Sequence, residues 1–82
     1  MFGFTIKYIL RRVTTGIMEA YEAYAEAETE EDAQALIIRE ATYDGRMEFV
    51  SFISIVNEGA AIVPIEMTYD HKYLGQVEEV WS

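Results

Sequence analysis

From Phe4 to Val13 the chain alternates, with Phe4, Ile6, Tyr8 and Leu10 on one side and Thr5, Lys7, Ile9 and Arg11 on the other. A period of two predicts a strand, and Thr14-Thr15-Gly16 supplies turn chemistry after it. The next segment, Ile17 to Glu28 (IMEAYEAYAEAE), reads two ways. Its Ala, Glu and Met content favours helix. As a strand it sorts into Tyr21, Ala23, Ala25 and Ala27 against Glu22, Tyr24, Glu26 and Glu28. A hairpin with the first strand favours that second reading. Tyr8 opposite Tyr21 sets Ile6 against Ala23 and Phe4 against Ala25, while Lys7 meets Glu22 on the reverse face as an opposite-charge pair. A slip of one residue would put Glu22 against Tyr8 in the core, so the pattern selects this register.

Thr29-Glu30-Glu31-Asp32 is the clearest helix start in the chain. Thr29 can cap the first free N–H groups, with Asp32 where a capping box has its reciprocal acid. The acids also suit the positive end of the helix dipole. Ala33, Leu36, Ile37 and Ala41 make an apolar stripe, Arg39 falls in the last turn, and Asp44-Gly45 ends a helix of about three turns. Beyond Arg46, Met47, Phe49, Ile53 and Ile55 point one way, and Val50, Phe52 and Val56 the other. A strand apolar on both faces reads as central and covered on both sides. Asn57-Glu58-Gly59 reads as a turn, and Ala61 to Tyr69 as a strand in which Pro64 suggests an edge or a bulge. Asp70-His71-Lys72 reads as another turn, before a weaker strand from Tyr73 to Trp81. The expectation is one α+β domain over 1–82, an antiparallel sheet of four to five strands with one helix packed on one face, in ββαβββ order.

One helix covers one side of such a sheet. Either Phe49, Ile53 and Ile55 or Val50, Phe52 and Val56 must then lie away from it. Full burial of such side chains stabilises by roughly 1.5–3 kcal/mol each, and an exposed patch of them marks an association surface. Val50, Phe52 and Val56 are therefore the expected self-association residues. The alternative is closure within the chain by the last strand, through Val77 and Trp81.

Composition narrows the chemistry. The chain has 82 residues, 51% of them hydrophobic, so it holds one small core and is too apolar for a disordered acidic tail. The apolar start precedes Arg11 and Arg12 instead of following a charged region, Phe2 stands where myristoylation needs glycine, and no apolar run is long enough to span a bilayer. A soluble, cytoplasmic protein is expected. Without cysteine there is no disulfide framework, thiolate zinc site or cysteine nucleophile. His71, the one imidazole, lacks an accompanying nucleophile motif, zinc-binding His pair or phosphate-cradling glycine loop. Glu28, Glu30, Glu31 and Asp32 lack the glycine and the spacing of a calcium loop. The expectation is a protein with no catalytic residue, metal or cofactor.

Charge adds the informative feature. Fifteen acidic residues face six basic ones, a net charge of −9, which excludes an ordinary basic nucleic-acid-binding module. Residues 1–18 carry Lys7, Arg11 and Arg12 and no acid, whereas 19–32 carry seven acids and no base. Acids two apart on a strand stand roughly 6.8 Å from each other, against one charge per ~3.4 Å along a DNA strand. Glu22, Glu26, Glu28, Glu30, Glu31 and Asp32 are thus expected to imitate phosphates and dock on a basic, nucleic-acid-binding surface of a target protein. The alternative is a solvated polar face.

The stretch Ala23-Tyr24-Ala25-Glu26-Ala27-Glu28-Thr29-Glu30-Glu31-Asp32-Ala33-Gln34-Ala35-Leu36 resembles the strand-to-helix passage of small phage proteins that inhibit bacterial defence. It is similar to compact anti-CRISPR proteins of type I systems, which lay a strand pair, a helix and further strands in this order, here over residues 4–56. The resemblance implies a non-enzymatic inhibitor in the host cytoplasm, blocking a CRISPR effector subunit by surface complementarity. It implies no direct contact with nucleic acid or membrane. A rival reading is a structural or regulatory homo-oligomer, such as a homodimer, without mimicry. A third, ligand binding between sheet and helix, is disfavoured by so small a core.

Overall fold

A computed structural model describes residues 1–61 and 71–77. Its elements are β1 (Phe2–Arg12), β2 (Met18–Ala27), α1 (Glu30–Ala41), β3 (Met47–Ala60) and β4 (His71–Gln76). The strands form one antiparallel sheet in the order β3-β1-β2-β4, with α1 packed on it. The order among the described residues is therefore ββαββ. The strand expected over Ala61 to Tyr69, with Pro64, falls almost wholly on 62–70 and lies outside them, as do Trp81 and the end of the last strand.

Residues 18–27 form a strand, despite their helix-favouring alanines and glutamates. Tyr8 opposes Tyr21, Ile6 opposes Ala23, Phe4 opposes Ala25 and Lys7 opposes Glu22. This is the register the alternation selects, because any one-residue slip buries Glu22. Phe4, Ile6, Tyr8 and Leu10 meet Tyr21, Ala23, Ala25 and Ala27 in a core closed by Ala33, Ile37 and Ala41 of α1. The helix lies mainly over β2, where small side chains let the two backbones approach. Thr29 caps it, Oγ1 accepting from the Asp32 N–H at 3.1 Å.

β3 departs from the expected strand in place and in phase. Among the described residues it is an edge strand beside β1, not a central one. Its register with β1 skips Val50, Ile53 and Glu58, one at each of three shifts. Each extra residue resets the count of two, so the inward positions become Phe49 opposite Leu10, Phe52 opposite Tyr8 and Ile55 opposite Ile6. Phe52 accordingly packs against the core with Phe49 and Ile55, while Ile53 lines the opposite face beside Lys7, Ala20 and Leu74. The third shift uses Asn57-Glu58-Gly59, which is a bulge inside the strand and not a turn. Gly59 has φ +99 and donates its N–H to Asn57 Oδ1 at 2.8 Å. His71 likewise opens β4 opposite Ala23 instead of sitting in a turn.

Candidate functional site

Glu58 of β3 aside, the described charged side chains fall into two groups. At one end of the sheet each guanidinium stands by an acid. Arg11 pairs with Glu48 across β1 and β3, Arg12 Nε lies 2.7 Å from Glu19 Oε1, and Arg46 Nε lies 3.6 Å from Asp44. On the helix Arg39 stands 3.6 Å from Glu40. Glu22 sits between Lys7 and Lys72 in the cross-strand register. All six bases of the chain therefore have an acidic neighbour.

The second group gathers where β2 passes into α1. Glu26 ends the outer row of β2, Glu28 lies in the connection, and Glu30, Glu31 and Asp32 occupy the first helical turn. Among the described residues Glu26, Glu30, Glu31 and Asp32 enter no ion pair, and Glu28 has only the N-terminal ammonium, 3.8 Å away. The helix dipole and the Thr29 cap make this corner tolerable to the fold. Beside it, between α1 and β2, is an open cleft of about 420 Å³ lined by Glu26, Ala27, Glu28, Asp32, Ala35, Leu36 and Arg39. β4 pairs with β2 only from Glu19 to Ala23, so β4 does not reach this end of the edge. Three carboxylates and Arg39 surround an aliphatic floor, and the excess of acids suits a long cationic side chain with its stem on Leu36.

The fold thus brings together five of the six expected docking acids and sets Glu22 apart, between two lysines. It does not unite Val50, Phe52 and Val56. Phe52 faces the helix side, whereas Val56, opposite Thr5, is half exposed on the other face, and Val50 is an exposed bulge residue.

A cluster that the pattern did not reveal lies at the far end. The Glu19 side chain is only 11% exposed; it pairs with Arg12 and accepts from the Tyr21 hydroxyl at 3.3 Å. The Tyr21 ring stacks on His71, centroids 4.9 Å apart, and the Tyr8 hydroxyl lies 3.3 Å from His71 Nδ1. Burial and the adjacent Glu19 carboxylate push the Tyr21 phenol above its ordinary value of 10.0. The available signal was the register itself: a tyrosine pair across β1 and β2 needs polar partners for its hydroxyls. Among the described residues no three His, Asp or Glu side chains lie close enough together to hold one metal ion, the corner acids included, and no helix is long and apolar enough to cross a membrane.

The fold and the charge layout define a small α+β protein with an acidic corner in which Glu26, Glu30, Glu31 and Asp32 enter no ion pair among the described residues. No family model, curated protein or solved structure matches the chain.

Proposed function

We propose that this chain is a non-enzymatic acidic binding protein that docks its β2–α1 corner on a basic, nucleic-acid-binding surface of a target protein. The observation that carries the reading is the cleft where Glu26, Glu28 and Asp32 stand over Ala27, Ala35 and Leu36, with Glu30 and Glu31 beside it. A target arginine or lysine enters that cleft, and the flanking acids occupy positions otherwise taken by phosphates. The acidic field speeds the encounter, and charge-assisted hydrogen bonds fix the pose. The resemblance to anti-CRISPR proteins makes a CRISPR effector subunit the first target to try. Glu22 is a minor contributor, because Lys7 and Lys72 flank it.

The test is capture of proteins from a bacterial lysate on the immobilised chain, with duplex DNA as competitor. The expected result is a nucleic-acid-binding protein that DNA displaces and that a Glu26→Gln, Glu28→Gln, Glu30→Gln, Glu31→Gln, Asp32→Asn variant does not retain. Equal retention by that variant overturns the reading.

A further inference from the structure

The face of the sheet turned away from α1 carries exposed apolar side chains among charged ones and is, among the described residues, uncovered. Tyr24, Ile53, Val56 and Leu74 on it are 44%, 45%, 50% and 42% exposed. We propose that this face joins two copies of the chain about a two-fold axis, a contact separate from the acidic corner.

Three observations select a second copy as the occupant. The first is charge. On this face Lys7 and Lys72 flank Glu22, and Arg11 stands by Glu48, so its middle holds nearly as many acids as bases, with Glu26 of the acidic corner only at its end. Chains of net charge −9 repel each other, and here they meet where each is locally neutral. A strongly basic or acidic partner finds no matching field on such a surface.

The second is register. Take an axis in the interface plane, parallel to the strands and passing between β1 and β2. Because Lys7 and Glu22 are directly paired, that rotation places Glu22 of each copy over Lys7 of the other. The same axis exchanges β3 with β4. Ile53, skipped between the partners of Lys7 and Tyr8, then lies about one residue (~3.4 Å) along the strands from Leu74, skipped between the partners of Ala20 and Tyr21, within reach of its side chain. Charge thus meets opposite charge, and one protruding aliphatic meets the other, under a single operation. Facing sheets at about 10 Å leave room for both pairs.

The third is size. Two central strands of about ten residues and two flanking strands matched over the six residues of β4, at ~4.8 Å by ~3.4 Å per residue, give a shared face of roughly 520 Å² in projection. With side-chain relief that is the size of a small, reversible interface, below the ~800 Å² per partner of an ordinary stable one.

Sedimentation velocity on the full chain, from roughly 1 µM to roughly 300 µM, tests this. The expected species has twice the 9.4 kDa chain mass. Ile53→Lys and Leu74→Lys should each weaken dimerisation by at least about tenfold while circular dichroism stays unchanged. Glu22→Lys alone should weaken it, and Lys7→Glu in the same chain should restore it. Salt separates this contact from acidic docking, since screening relieves the repulsion between copies but weakens binding to a basic target. A wild-type monomer throughout the range overturns the proposal, as does a dimer indifferent to both Ile53→Lys and Leu74→Lys.

Discussion

The Tyr24 ring lies across the backbone of Gly3, so close that a Cβ on residue 3 would stand 2.7 Å from the ring carbon Cζ. Gly3 pairs with Glu26 and Tyr24 with Thr5, making the contact a diagonal one on the open face. An aromatic side chain here shields a strand glycine. Gly3→Ala must displace the ring, which is half exposed and free to swing outward. Alanine also suits a strand better than glycine, by about 0.5–1 kcal/mol. The two effects nearly cancel, so urea unfolding should change by less than about 1 kcal/mol. Ring-current shifts at Thr5 should nevertheless report that Tyr24 has left its place.

Adjacent residues on β3 should respond in opposite ways. Phe52 packs on the core opposite Tyr8, and its ring centroid lies 4.6 Å from that of Phe49. Ile53 is an exposed bulge residue on the other face. Phe52→Ala should cost about 2 kcal/mol, less than a fully buried phenylalanine because the ring is half-buried. Ile53→Ala should cost under about 0.5 kcal/mol at chain concentrations too low for dimerisation. The denaturation midpoints of the two variants measure the bulge directly; equal costs would mean that the strand runs without it.

Arg12 holds the most buried carboxylate of the described chain. Removing the guanidinium strands Glu19, whereas Glu19→Gln removes the charge that needs it. Arg12 is itself 47% exposed, so solvent can partly replace it and the cost of Arg12→Ala should be about 1–2 kcal/mol. Glu19→Gln in the same chain should recover part of that loss in urea titrations.

Tyr21 couples the same cluster to alkaline pH. Its phenol is raised first by burial and then by Glu19. An unfolded tyrosine loses its proton near pH 10, while the folded Tyr21 still holds its own, so the native state binds more protons there. Stability must then fall as pH rises past about 10. Tyr21→Phe should flatten that fall and remove the highest-pH step from the ultraviolet phenolate titration.

How much of this was legible in the chain depends on whether alternation held. In β1 and β2 it held without interruption, and the pairings of Tyr8 with Tyr21 and Lys7 with Glu22 followed from polarity alone. Thr29 and the three acids after it marked the helix start for the same local reason. In β3 three bulges broke the count, so Phe52 and Ile53 exchanged faces, and a strand at the edge of the described sheet imitated a central one. Nothing in the order of apolar residues announces the two bulges that change the faces, because the added residues, Val50 and Ile53, are themselves apolar. The acidic corner was visible as a run, but the isolation of Glu22 was not. It required β4 to bring Lys72 alongside, a pairing between residues fifty positions apart. His71 illustrates the same limit, since its stacking on Tyr21 comes from that strand.

The central claim is that the β2–α1 corner binds a basic surface. Its most direct test is the dissociation constant of the purified target for the native chain and for the Glu26→Gln, Glu28→Gln, Glu30→Gln, Glu31→Gln, Asp32→Asn variant, with helix content checked by circular dichroism. Docking through the corner predicts affinity at least about 100-fold weaker for the variant, roughly 2.7 kcal/mol, and a native constant that rises steeply with salt. A folded variant that binds as tightly as the native chain would contradict it.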